Sequence, residues 1–416
     1  MLKKLLYFGL AVIFLFAVVL VSVTPRLEFE LLLSELFFAF SVWFLLLRER
    51  VNVTLLLILA VAARFVFFWE LPLLSDDFYR FIWDGQLLLD GINPIGKIPS
   101  EVQVEIANKA LLLREMNSAQ YPSVYPPFHQ LAMAFGALFD GFLNQVNGMR
   151  LVIIFCESLG LIYFFRFAKS LLPIYAAYLI NPLVVVEGVG NVHFEAALMP
   201  FLAIALHSAT RNEKFKTSFS YATAILIKLN PLVLMPALLK ERKSFKTVLF
   251  TLGLVVLGFL PFVSGMVDSI EGFGLFFRTF EFNASVYYFL SEIGKMLLGY
   301  NPISVLGPLL AVFALLLILR VGLSKMELND KALLTYLIFL LLSSTVHPWY
   351  IIPVVYFSLI AKRQLILIWS FTAFFSYSHY LGIIEPKYGW ILAEYAMLFT
   401  AMIYEYRRRP IQLFRG

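Results

Sequence analysis

Two adjacent carboxylates, Asp76 and Asp77, sit in the stretch L-S-D-D-F-Y-R-F-I-W-D-G-Q-L-L-L-D-G-I-N-P at residues 74–94. Immediately after a membrane span, such a pair is placed to deprotonate an acceptor hydroxyl, the task of a general base. Displacement also needs the opposite charge, because a leaving phosphate departs only where fixed cations or donors meet its growing charge. Lys228, in I-K-L-N-P within an apolar segment, is the first cation to consider, since a charge placed among apolar residues is costly unless an anion answers it. Arg80, Arg278, His347 and Tyr350 are further donors.

Other polar residues stand among apolar ones and invite a functional reading by their cost. They are His129 near Tyr125 in Y-P-P-F-H-Q, then Asn191, His193 and Glu195 in G-N-V-H-F-E, and His347, Trp349 and Tyr350 in H-P-W-Y. We expect these clusters to converge on one cavity with the aspartate pair. Each has a plainer alternative. Arg80 and Asp84 are spaced to pair with each other, Lys228 could snorkel to an interface, and Trp349 and Tyr350 could be belt residues. His129, His193 and His347 include no close pair at metal-ligand spacing, and the Asp pair alone offers a divalent ion few ligands, so no metal or other cofactor is expected. A later polar stretch, residues 277–288, holds Arg278, Glu281 and Asn283, and Asn283-Ala284-Ser285 formally matches a glycosylation acceptor.

The elements that must hold these residues are membrane helices. Of the 416 residues, 61% are hydrophobic and 14% charged, and the mean hydropathy is +0.84, so lipid is the main solvent. Residues 5–23, 245–263, 303–319 and 389–404 are long enough, or nearly so, to cross a hydrocarbon core of about 30 Å, and in lipid they must be helical. The first is expected to be retained rather than cleaved, since no small-residue cleavage site follows it. The lone Cys156 excludes an internal disulfide. The net charge of +6 is dispersed at span ends, which excludes a nucleic-acid footprint.

Lys3/Lys4, Arg48/Arg50, 211–216, 240–246, Lys325/Lys331, Lys362/Arg363 and 407–409 mark cytoplasmic ends, which puts both termini inside the cell membrane. Residues 70–125 then form a large extracytoplasmic loop with eight acidic residues against four basic ones. In it Ser75 should cap a helix that Gly91 closes. Phe78, Phe81, Ile82, Gly85 and Leu89 share one face and Asp77, Arg80 and Asp84 another, as in an amphipathic helix lying on the membrane surface. A second polar helix is expected over about 100–118. Asn181-Pro182 and Asn230-Pro231 break short apolar runs, so 171–187 and 217–239 read as broken or re-entrant helices lining a cavity. The expected fold is all-α, a polytopic bundle of about 11 to 14 membrane helices in a single domain, 1–416.

In order along residues 60–360, S-D-D-F-Y-R-F-I-W-D-G with G-I-N-P, Y-P-P-F-H-Q, N-P-L with G-N-V-H-F-E, I-K-L-N-P-L and H-P-W-Y resemble the GT-C superfamily of membrane glycosyltransferases, particularly the polyprenol-phosphate-mannose-dependent mannosyltransferases. The resemblance implies a helical fold whose first outer loop carries the catalytic aspartate, here Asp76 or Asp77. It further implies a polyprenyl-phosphate sugar donor, a lipid or glycan acceptor and inversion at the anomeric carbon. One departure stands out, because relatives often carry Asn or Asp directly after the histidine, where this chain has Phe194 and then Glu195. The alternative class is a transporter or flippase of lipid-linked saccharides, which has little need of a long acidic outer loop. A surface-polysaccharide polymerase or ligase would keep its main loop later in the chain.

Overall fold

The structure is a computed structural model that describes residues 2–238, 242–265, 279–382 and 384–408. Among these it is all-α, with two isolated bridges, Ile95 to Ser123 and Phe282 to Thr345, as the only strand-like pairings. Arg278 lies outside the described residues, as does part of the basic run 240–246.

The chain begins with α1 (Leu2–Val23), α2 (Phe29–Arg48) and α3 (Val53–Phe65). The polar loop holds α4 (Asp77–Leu89) and α5 (Lys109–Glu115), and after it come α6 (Pro127–Ala137), α7 (Phe142–Phe167), α8 (Leu172–Leu179), α9 (Glu195–Thr210) and α10 (Lys214–Ile227). Among the described residues five helices are long and apolar enough to cross a membrane: α1, α2, α7, Phe245–Gly265 and Ile303–Leu323. Their lipid-ready faces show in side chains such as Phe8, Phe155, Val256 and Leu316, each more than half exposed. The bent pair made by α8 and Val184–Gly190 adds a sixth, and Val53–Trp69, Glu195–Thr210 and Pro348–Ile360 are apolar but shorter. The rest of the apolar chain among the described residues is divided into shorter pieces, in keeping with a polytopic bundle in which some helices are broken. Such pieces are tolerable at membrane depth where protein covers them.

Both Asn-Pro pairs break helices as expected. At the first, the chain bends by 76°, and Asn181 satisfies the break by accepting from the Leu183 N–H and donating to Ser370. Beyond it Val184–Gly190 is wound as a π-helix, a form frequent at functional sites. At the second, α10 stops at Ile227, Lys228 is fully extended (φ −154°, ψ 146°), and a 3-10 turn resumes at Asn230. The Tyr221 hydroxyl donates to the Pro231 carbonyl at 2.7 Å, supplying a donor where the helix ladder is interrupted.

Helix α4 departs from expectation. Its ends are close to those anticipated: Ser75 Oγ accepts from the Asp77 N–H at 3.3 Å, although Asp76 is the N-cap position. Gly91 (φ +77°) donates to Leu88 O and Ile92 to Leu87 O, a Schellman stop. Yet its polar face is not open to solvent, since Arg80 and Asp84 are as buried as Phe81 and Ile82. Residues 97–123 fold back over the polar face, and Arg80 meets their carbonyls. On the apolar side a Cβ at Gly85 would stand 2.3 Å from Met133 O, so α4 and α6 touch backbone to backbone. The second loop helix is also shorter than 100–118, comprising a 3-10 turn at Pro99–Glu101 and then α5.

Candidate active site

The two aspartates at the start of α4 have different surroundings. Asp76 is ion-paired with Arg26, which follows α1 and lies 4.1 Å over the Tyr380 ring. Asp77 has no lysine or arginine partner among the described residues. Its Oδ1 accepts from Asn117 Nδ2 at 2.9 Å, and its Oδ2 faces His193 Nε2 at 3.8 Å. Burial pushes the Asp77 carboxyl above the usual carboxylate range, against the pull of the Asn117 hydrogen bond and the charge of nearby Lys228.

His193 is delivered by the π-turn. Arg150 of α7 ties down that turn's end, donating to Val189 O at 3.0 Å and Gly190 O at 2.7 Å as well as to carbonyls of residues 67 and 70. Val192 then adopts φ +55°, a left-handed conformation unusual for a β-branched side chain and a mark of local strain. The imidazole Nδ1 lies 3.0 Å from the Glu187 carbonyl and 3.1 Å from Glu187 Oε2. Its face stacks on Trp349 at 3.7 Å. The stack continues through His347 (4.3 Å), Phe282 (4.4 Å) and His379 (4.5 Å), so H-P-W-Y is joined to G-N-V-H-F-E by ring contact.

Lys228, in the extended break after α10, is ion-paired with Glu195 at the start of α9 and sits 5.2 Å over the Tyr350 ring. Glu195 thus provides the anion that a cation at this depth demands, and Lys228 does not simply snorkel away. The residue before it, Phe194, stacks on His129 at 4.0 Å, and His129 in turn lies beside Phe81 and Tyr125. Both nitrogens of the buried His129 lack a hydrogen-bond partner among the described residues. Asp77 and Lys228 each keep 20% of their side-chain surface open, whereas Glu195 is fully enclosed.

Asp77, His193, Glu195, Lys228, His347, Trp349 and Tyr350 are therefore brought together, with Tyr125 and His129 alongside. Four expected ligand-binding residues are engaged elsewhere. Arg80 donates to Asp84 at 2.9 Å and to the carbonyls of Ser118 and Tyr121, both at 3.0 Å. Asp84 also accepts from Ser123 at 2.5 Å. Asn191 bonds backbone on both sides, accepting from the Leu74 N–H and donating to Val186 O. Asn283 is buried against Glu394, which also accepts from Trp369; this burial rules out Asn283 as an accessible glycosylation acceptor. Among the described residues no three metal-ligating side chains converge.

Sequence reasoning passed over Arg26, Glu187 and Tyr377. Arg26 had a visible signal, since it stands at the opposite end of α1 from Lys3 and Lys4, where the charge rule does not account for it. Glu187, six residues before His193 in an otherwise apolar run, was legible as a buried carboxylate. Tyr377 had none.

A protein-family model described as alpha-(1->6)-mannopyranosyltransferase, N-terminal domain, matches residues 15–240, more than half of the 416. The chain belongs to this mannosyltransferase family. Comparison with curated proteins and with solved structures returns no match. The mannosyltransferase is a membrane glycosyltransferase, and the matched region contains Asp76, Asp77, Glu187, His193, Glu195 and Lys228.

Proposed function

We propose that this mannosyltransferase moves a mannosyl group from a polyprenyl-phosphate donor to a hydroxyl of a lipid or glycan acceptor, by inverting displacement at the extracytoplasmic face, with Asp77 as the general base. The observation that carries the proposal is the contrast within the pair: Arg26 neutralises Asp76, while Asp77 is partly open, without a cationic partner among the described residues, and near Lys228. A carboxylate held above its ordinary proton affinity takes a hydroxyl proton more readily.

The cations fit the other half of the displacement. Lys228 is already paired with Glu195, so the departing phosphate is met by a shared cation rather than a free one, with Tyr350 beneath it. Sharing lets the site stay neutral before the donor arrives and still shift charge toward the phosphate as the bond breaks. The exposed apolar helix faces offer room for an isoprenoid chain, and the acidic bias of residues 70–125 favours the extracytoplasmic side.

The test is transfer of label by the purified protein from polyprenyl-phosphate [14C]mannose into membrane extract. Label should appear in a new lipid or glycan product. Transfer from a nucleotide sugar alone, or donor hydrolysis without a product, overturns the proposal.

A further inference from the structure

We propose that His193 shares the proton taken up by Asp77, and that Glu187 and Tyr377 are positioning residues that hold its ring. The inference rests on Asp77 being the base and deepens that reading.

The hydrogen-bond pattern fixes the tautomer. A carbonyl oxygen can only accept, so the 3.0 Å contact with Glu187 O requires the proton on Nδ1. In the neutral ring Nε2 then carries a lone pair. That nitrogen is buried, without a hydrogen-bond partner among the described residues, and 3.8 Å from Asp77 Oδ2. Two acceptors thus face each other with no proton between them, an arrangement that costs free energy when buried and becomes a hydrogen bond once a proton reaches either atom. Catalytic pairs commonly stand loose in this way before substrate closes on them.

The ring is held from behind. Glu187 Oε2 is 3.1 Å from Nδ1, and Glu187 Oε1 accepts from the Tyr377 hydroxyl at 2.6 Å, which anchors the carboxylate to a different part of the chain. Trp349 covers one ring face. The π-turn and the strained Val192 set the angle of approach. A carboxyl group behind an imidazole fixes its orientation, and in its ionised form it stabilises the protonated ring.

The step then runs as follows. The acceptor oxygen bonds to the anomeric carbon as its proton passes to Asp77 Oδ2, and the bond from that carbon to the phosphate oxygen breaks, with the phosphate keeping the electron pair. The proton moves from Asp77 to His193 Nε2, forming an imidazolium beside Glu187, and is afterwards released to water. Asp77 is thereby returned to its carboxylate form for the next turnover.

The decisive comparison uses full-length Glu187→Gln, Glu187→Asp, Tyr377→Phe and Asp77→Asn with polyprenyl-phosphate [14C]mannose. Glu187→Gln should lower kcat about tenfold or more with donor KM nearly unchanged. It should also move the acid limb of the kcat profile to lower pH, because a protonated ring without its counter-charge forms less readily. The other titratable groups around the ring, Asp77, Lys228, His347 and His129, are the same in both proteins. Glu187→Asp should restore part of kcat and return the limb toward its place. Tyr377→Phe should reproduce the Gln phenotype more weakly, and it carries the test if Glu187→Gln does not fold. Wild-type kcat in Glu187→Gln, or a loss with an unmoved limb and no rescue by Asp, overturns the relay while Asp77→Asn stays inactive. Full activity in Asp77→Asn removes the base itself.

Discussion

The Arg80–Asp84 pair and the Asp77 carboxylate lie on one helix within two turns of each other, and both are built from charged residues at the edge of a membrane bundle. Their difference is satisfaction. Every polar group of the Arg80–Asp84 pair meets protein: the guanidinium reaches the carbonyls of Lys97, Ser118 and Tyr121, and the carboxylate takes bonds from Arg80, Ser123 and Gln130. A few ångströms along the same helix, Asp77 Oδ2 faces His193 Nε2 too far away for a bond, and both His193 Nε2 and Glu195 Oε2 lack hydrogen-bond partners among the described residues. A closed network fixes a loop. An open one keeps capacity for a ligand, and the free energy left in its unpaired atoms is released on binding or in the transition state.

Four outcomes would break or sharpen that contrast. The largest belongs to the closed network: Arg80→Ala leaves Asp84 buried without its cation and should destabilise the protein by about 3–5 kcal/mol, read as a lowered unfolding midpoint in detergent. Next is Lys228→Met, which removes the shared cation. It should reduce transfer by about 10²–10³-fold while the purified protein stays folded, because Glu195 can take up a proton where the lysine cannot be replaced. Arg26→Gln releases Asp76 from a partly exposed pair and should cost about 1 kcal/mol or less of stability with transfer largely kept, which separates the two adjacent aspartates.

The smallest effect concerns pH. Because burial raises the folded-state pKa of Asp77, its contribution to stability is fully present below the unfolded value and is lost as pH rises through the folded value. Asp77→Asn, which cannot ionise, should therefore unfold at a slightly higher temperature than the wild type at neutral pH. That advantage should vanish on acidification below the ordinary carboxylate range.

Much of this arrangement could be read from the chain. Helices in lipid leave the backbone no alternative, so apolar runs named the fold class directly. The two Asn-Pro pairs marked the breaks, and with them the places where Lys228 and the G-N-V-H-F-E segment leave the regular ladder. What remained hidden was which polar residues turn inward. Spacing put Asp77, Arg80 and Asp84 on one side of α4, but it could not show residues 97–123 folding over that side and consuming the arginine and the second carboxylate. Asn283 was ambiguous for the same reason, since its partner Glu394 is 111 residues away in sequence. The ring stack from His193 to His379 likewise joins segments that no local pattern links.

The measurement that bears most directly on the distinction is a side-by-side comparison of Asp77→Asn and Asp84→Asn for thermal unfolding and for transfer rate per folded molecule. The first should be at least as stable as the wild type and without transfer. The second should be strongly destabilised, yet its surviving folded fraction should turn over at a rate near wild type. A folded, active Asp77→Asn, or an Asp84→Asn that keeps its stability and loses its chemistry, would reverse the two roles.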